Sequence, residues 1–508
     1  MKSASVDLFD LIKSLNNSEK RYFTLFAQRH YAHNNQYLSL YQILEKQTEY
    51  NEDTAIKETG WKKNHYAVQK NILYHQLLNA LVQYDTESNP AQKLQQEVFA
   101  CQKLLQKGLT EQAKTQLRKL QREAQTHELH EISLQLKQLE MALYGRTQYK
   151  QVSADMIDEW RQDIAEICGH IEAEAYYKHI NARAQKLQLD AGGRNAKVAG
   201  EVSKLIQDEG AQRHLGHLTT KAQMDQLQTQ ALYHFLKEDT LGALQINSSF
   251  LKLMESEKHW LQFFPERYFS TLNNYLIDCF VLKKEKELQA GVAKMRALQQ
   301  LPYFKKIRQL EVNIFRITYQ LELNYLIGTG RFIEASKILP LLKDGLTKYA
   351  DKIPLHHLAN LQYLCAYVLF ANGSYTEAST MLDALQQNTR SDTPTLIGNV
   401  TAIMQVLCHY ELSNYSIIDS LVKSCKRKLN SQKPAIASEA EFELLNAILQ
   451  FAAKPPQVQQ WAKAYDRVYQ KTTKGKTAYS DYFDFIAYLY ARKTKSDFES
   501  AKKALLQD

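Results

Sequence analysis

With 508 residues, the chain is too long for one ordinary core, so several domains or one long repeat array is expected. Its 44% apolar and 23% charged residues exclude a disordered chain, and a net charge of +9 leaves acidic partners and nucleic acid open. Only 9 prolines and 17 glycines leave few tight turns and few helix breakers, against usual usage of roughly 5% and 7%.

The first residues, MKSASVDLFDLIKSLNNSEK, carry no apolar signal-peptide core or cleavage pattern, so no secretory signal is expected. The segment 1–88 reads as an N-terminal helical module. DLFDLIKSL is a short helix, and Ser18 is a candidate N-cap for EKRYFTLFAQRH. NNQYLSLYQILEKQ and EDTAIKETG follow, then a long helix from about His65 to Tyr84. The turn at Gly60 gives the last two a helix-turn-helix outline. As a DNA reader, that outline would aim Lys62, Lys63, Asn64, His65, Gln69 and Lys70 at a groove. Three features count against it. Ile56 stands where a small packed residue belongs, with Ala55 one place early; Gln69 stands at a position that should be buried; and the segment is almost neutral. A cap sealing the end of a repeat array is the other reading.

Residues 89–215 read as helices joined by short turns, with a break at GGRNAK, Gly192 to Lys197. From about 216 to 508 one pattern recurs: a Gly or polar residue, an aromatic or apolar one, a small one, then an apolar one. It is clearest at Gly330, Phe332, Ala335 and Leu339, and at Gly373, Tyr375, Ala378 and Leu382. Weaker copies have Lys286, Leu288, Gly291 and Met295, and Ser496, Phe498, Ala501 and Leu505. Degraded ones lie at Thr240 with Ala243, Tyr415 with Ile418, and Val458 with Trp461, and an early outlier at Gly108 and Ala113. The step is roughly 40 to 48 residues, within the range of helical solenoids. The polar residue breaks the chain between helices, the aromatic fills a gap, and the small residue lets two helices approach.

Each copy resembles the second half of a tetratricopeptide repeat, the turn and the start of helix B. Stretches such as PERYFSTLNNYLIDCFVL and LHHLANLQYLCAYVLF stand in the place of helix A. The resemblance covers about 218–508, and weakly 92–145. It implies an all-α, irregular solenoid of antiparallel helix pairs, a TPR-like fold that binds a protein or peptide partner in its groove. Solvent-facing positions of the A helices nominate Asn273, Asn274, Asn324, Gln362 and Tyr363 for that contact.

Each proline, as at Pro265, Pro302, Pro354 and Pro434, is expected where a helix starts or stops. Much of the positive charge falls late: Lys423, Lys426, Arg427, Lys428 and Lys433, then Lys471, Lys474 and Lys476, then Arg492, Lys493 and Lys495. Solvated helix ends are the preferred reading of that charge. Six scattered cysteines (Cys101, Cys168, Cys279, Cys365, Cys408, Cys425) fall within apolar helical patterns, as small hydrophobes in a reducing cytoplasm would. No stretch approaches the roughly 18 apolar residues of a membrane span.

No catalytic constellation stands out, and neither an enzyme nor a cofactor or metal is expected. His30 and His33, His127 and His130, and His214 and His217 have helical spacing but no third ligand, so they read as surface histidines. Cys168, Gly169 and His170 place a thiol near an imidazole, but adjacent helix residues diverge. Glu172 and Glu174 follow helical spacing, and phosphate-binding glycine patterns are absent. The chain's 30 tyrosines, as in YSDYFDFIAYLYARK, read as packing residues, since Phe483, Ile486, Leu489 and Tyr490 keep helical spacing. The expected function is a cytoplasmic, non-catalytic scaffold. The alternative is a nucleic-acid-binding regulator with a repeat sensor.

Overall fold

A computed structural model describes residues 6–30, 36–150, 152–387, 395–430, 439–472 and 479–507. Among them the regular structure is wholly helical. His33, Lys433, Pro434, Lys474 and Lys476 lie outside the described residues. No helix among those described is long and apolar enough to cross a membrane. The chain divides into two compact units, Met1–Thr271 and Leu272–Asp508.

The first unit begins with α1 (Asp7–Ser14), α2 (Asn17–His30), α3 (Gln36–Lys46), α4 (Glu52–Thr59) and α5 (Lys63–Ser88). They share a core that includes Leu8, Phe23, Tyr41, Ala55, Tyr66 and Leu73. The residue capping α2 is Asn16, not Ser18. Asn16 Oδ1 accepts from the amides of Ser18 and Glu19 at 2.9 and 3.0 Å, and the Glu19 carboxylate accepts the Asn16 amide at 2.8 Å. This reciprocal capping box satisfies more free amides than Ser18 could. Next come α6 (Pro90–Gln106), α7 (Thr110–Thr126), α8 (His130–Gly145) and the long α9 (Ala154–Ala191). The break at Gly192 is a left-handed turn, and Asn195 caps the following helix. Then follow α10 (Ala196–Ile206), α11 (Glu209–Arg213), a 3-10 turn at Leu215–His217, α12 (Thr220–Leu236), α13 (Thr240–Glu255) and α14 (Lys258–Phe263). Next, α15 (Pro265–Val281) runs across the division.

The second unit continues with α16 (Glu285–Ala297), α17 (Leu310–Gly328), α18 (Phe332–Tyr349), α19 (Leu355–Ala371), α20 (Tyr375–Gln387) and α21 (Thr395–Glu411). It ends with α22 (Tyr415–Asn430), α23 (Glu439–Ala453), α24 (Val458–Gln470), α25 (Phe485–Thr494) and α26 (Phe498–Gln507). Each helix packs on the next, and α17, α19, α21 and α23 also pack in sequence on one another.

One turn recurs. A residue of positive φ stands two places before the next helix: Gly108, Glu128, Glu238, Lys283, Gly330, Gly373 and Ser413. At Gly373 its amide bonds Phe370 O at 3.0 Å, and Ser374 N reaches back to Leu369 O at 2.9 Å. The same pair of bonds closes the turns at Glu238, Gly330 and Ser413. This left-handed motif takes up carbonyls that a helix end leaves free. Beyond the turn, Phe332, Ala335, Ala378, Ile418, Ala464 and Ala501 are buried.

Two expectations need correction. Pro340 lies inside α18, not at a helix end. It is exposed there, where water can replace the bond its ring removes. Cys168 is exposed on α9, whereas the other five cysteines are buried. Burial holds the Cys279 and Cys365 thiols up at about 11.

Gly345 on α18 marks a close approach, because a Cβ there would overlap the Phe315 ring of α17. Gly200 on α10 has open space around it. Replacing a helix-interior glycine by alanine normally stabilises by roughly 0.5–1 kcal/mol. Gly200→Ala should therefore raise the thermal midpoint, while Gly345→Ala should lower it by overpacking, at a cost of about 1–3 kcal/mol. Calorimetry on both variants checks the opposite signs.

Candidate functional site

In the second unit, α21 and the second half of α19 are buried around nearly their whole circumference. Leu361, Leu364, Cys365, Val368 and Leu369 share α19 with Tyr363, Tyr367 and Phe370, all of them buried. Chain neighbours cover only part of such a helix. The rest is covered by residues 479–484, one turn of chain ahead of α25. Tyr479 and Phe483 are fully buried there, and Tyr479 O accepts from the amides of Tyr482 and Phe483 at 2.9 and 3.0 Å.

Side chains from three helices hold that turn. Tyr363 OH donates to Tyr482 O at 3.1 Å, and Tyr367 OH accepts the Asp484 amide at 3.1 Å, both from α19. From α21, Asn399 Nδ2 donates to Tyr479 OH at 2.9 Å, and from α23, Glu441 Oε1 accepts the Tyr479 amide at 3.3 Å. The Phe483 ring lies 4.7 Å from Tyr367 and 5.2 Å from Phe370. Beside this contact, a cleft of about 320 Å³ is lined in part by Phe370, Tyr375, Tyr488, Arg492, Phe498 and Glu499. Arg492 pairs with the buried Glu411, which also accepts from Tyr488 OH at 2.6 Å. Burial raises the Glu411 carboxyl despite that pairing.

The residues nominated for partner contact are not brought together. Asn274 on α15 is exposed, and Asn273 and Gln362 are half-buried. Asn324 spends its amide on Gln320 O of its own helix at 2.8 Å. Tyr363 is not solvent-facing. At 1% exposure it lies under the 479–484 turn, a contact between residues more than a hundred apart that local periodicity cannot reveal. In the N-terminal module, Lys62, Lys63 and Asn64 are exposed at the start of α5, just after Gly60. Ala55 packs in the core, one place earlier than the helix-turn-helix pattern asks. Lys70 is not aimed outward; its ammonium bonds Tyr50 OH at 2.6 Å and lies 3.7 Å from Glu52.

The histidines also depart from expectation. His127 and His130 straddle the α7–α8 turn and therefore diverge. His127 packs on His259 of α14, ring centroids 4.8 Å apart. His130 stacks on His170 of α9 at 4.6 Å, and His170 meets His217 edge-on at 5.4 Å. His170 Nδ1 lies 3.0 Å from His217 O. Gly169 admits the His217 ring, which a Cβ would meet at 2.9 Å. Glu128 fixes the turn by accepting from Thr220 N and Oγ1, both at 2.7 Å, at the start of α12. The H-x-x-H spacing was a signal, but the partners His170 and His259 come from distant helices. His214 instead packs on Tyr176.

The junction is short of hydrogen bonds. His127 Nδ1, His130 Nε2, His217 Nδ1, His259 Nε2 and Glu174 Oε1 are buried without partners. Among the described residues, no group of three or more His, Cys, Asp or Glu is placed to hold a metal ion. Burial, then the neighbouring His170 and Lys221, depress His130 to about 4, against opposing Glu128 and Glu131. Burial likewise lowers His259 and raises Glu174. A neutral His130 at 3.8 Å from Glu174 is a packed ring, not an ion pair. No known protein family matches the chain, and no curated protein matches it either.

His130 titrates at its ordinary 6.5 when unfolded and at about 4 when folded. Between those values the unfolded chain holds a proton that the folded one lacks. The stabilising contribution is therefore whole above 6.5 and is lost as pH falls toward 4. Going from pH 7 to pH 5 should cost the first unit about 1–2 kcal/mol through this residue. Urea midpoints at both pH values check it, and His130→Phe should show a smaller drop than the parent. An equal drop would place the acid sensitivity elsewhere.

Proposed function

We propose that the chain is a non-catalytic scaffold, a TPR-like solenoid of antiparallel helix pairs that binds a protein partner. The observation that carries this reading is the agreement between the recurring motif and the helix starts. Thr240, Phe332, Tyr375, Tyr415, Val458 and Phe498 are each the first residue of a helix. A unit repeated in this way exposes one set of helix faces in series, and stacked repeats use such extended surfaces to bind other chains. Affinity purification of the tagged full chain, with and without nuclease, tests the reading. The expected result is a stoichiometric protein partner that survives nuclease; recovery of nucleic-acid-dependent partners alone would overturn it.

A second reading rests on one observation, the exposure of Lys62, Lys63 and Asn64 on the first turn of α5. If these residues contact nucleic acid, Lys62→Ala/Lys63→Ala should weaken binding across sequences and reduce the salt slope by roughly one per lost phosphate contact. Lys70 does not belong in that test, since its ammonium is held by Tyr50 and Glu52. Lys70→Ala should instead lower the stability of the N-terminal module. Filter-binding titrations at several salt concentrations decide; an unchanged slope in the double variant removes this reading.

A further inference from the structure

The turn at 479–484 is held in an unusual way. Its two aromatic side chains are fully buried, as in any core. Its main chain, however, is gripped by side chains of α19 and α23: Tyr363 takes one carbonyl, and Tyr367 and Glu441 take two amides, while Asn399 of α21 bonds the Tyr479 hydroxyl. Burying Asn399 and Glu441, at 0% and 1% exposure, is costly unless something bonds them. A face built only for stability would be apolar at these positions. Polar groups that bond a main chain, around a pocket that takes an aromatic ring, are the usual means of holding a short peptide.

We propose that residues 479–484 are a built-in occupant of this face, which binds in trans a peptide presenting tyrosine and phenylalanine four residues apart on one turn. The proposal deepens the scaffold reading and rests on it. The chemistry of the partner follows from the present occupant. Tyr479 brings a hydroxyl to Asn399, Phe483 brings a ring to Tyr367 and Phe370, and the amides and carbonyl between them meet Glu441, Tyr363 and Tyr367. Asp481 is exposed and makes no demand on the face. The tethered copy competes at an effective concentration on the order of millimolar. A weak partner is therefore excluded, and a strong one must displace the turn.

The test uses the full chain and a fluorescein-labelled peptide of residues 479–486. Tyr479→Ala/Phe483→Ala should bind this peptide at least tenfold more tightly than the parent. A peptide with both aromatics changed to alanine should bind neither protein. In the parent, a heavy-isotope peptide at millimolar concentration should raise deuterium uptake of the amides at 482–484 several-fold. A folded double variant with no gain in binding overturns the proposal. So does unchanged exchange in the parent, which decides the matter even if the double variant fails to fold. A parent that exchanges the segment between two copies, seen as a concentration-dependent dimer, replaces the peptide with a second copy and also overturns it. If both peptide arms fail while a nuclease-resistant partner is still recovered, the scaffold stands and only the built-in occupant falls.

Discussion

In the second unit, α16, α18, α20 and α22 are each set by the turn before them. A residue of positive φ ends one helix, two hydrogen bonds return to its last carbonyls, and two residues later the next helix begins. So short a connection leaves little freedom in the crossing of the two helices. Small side chains past the turn must then accept the approach that results, which is why Ala335 and Ala378 have no exposed surface. At Gly345 even a methyl group would not fit.

The turn accounts for pairs of helices but not for what covers them. Helix α21 and the second half of α19 are buried on nearly all sides, and a helix of that kind has to be surrounded. Neighbours along the chain supply part of the cover. The remainder comes from the turn at 479–484 and from α25 and α26, through Tyr367 with Phe483, Phe370 with Tyr488 and Tyr367 with Phe498. Closure of this core therefore depends on residues more than a hundred places away in sequence.

This difference explains what could be read in the sequence. The turns are local, and a glycine advertises one, so the copies at Gly330 and Gly373 were plain. At Glu238 and Ser413 the same backbone shape is taken by residues that ordinarily avoid it at about 1–2 kcal/mol each, so those copies looked degraded, and at Lys283 it left only a weaker copy, placed three residues late at Lys286. Helix starts followed from the same local pattern. Tyr363 and the histidines did not, because their surroundings are set by residues far away in sequence. An aromatic on an A helix looks the same whether water or Phe483 lies above it. His127 and His130 looked like one face of one helix because the turn between them hinges on Glu128, with φ +48° and no glycine to betray it. The histidine junction was legible only as spacing, and its meaning lay in His170, His217 and His259.

Two sites manage buried polarity differently, the face of α19 in the second unit and the histidine junction in the first. In the second, Asn399, Glu441 and Glu411 all have hydrogen-bonded or ionic partners. Paired groups of this sort fix one arrangement, since removing either partner leaves the other buried and unsatisfied. At the histidine junction of the first, five ring and carboxyl atoms are buried without a hydrogen-bond partner in the protein. The junction is held by ring stacking on His130, which burial keeps neutral, and is anchored by the bonds of Glu128 to Thr220. A charge on His130 is costly in so poorly solvated a site. The contacts that His130 makes with α9 therefore depend on proton activity, whereas those that close the face of α19 depend on the aromatic turn at 479–484.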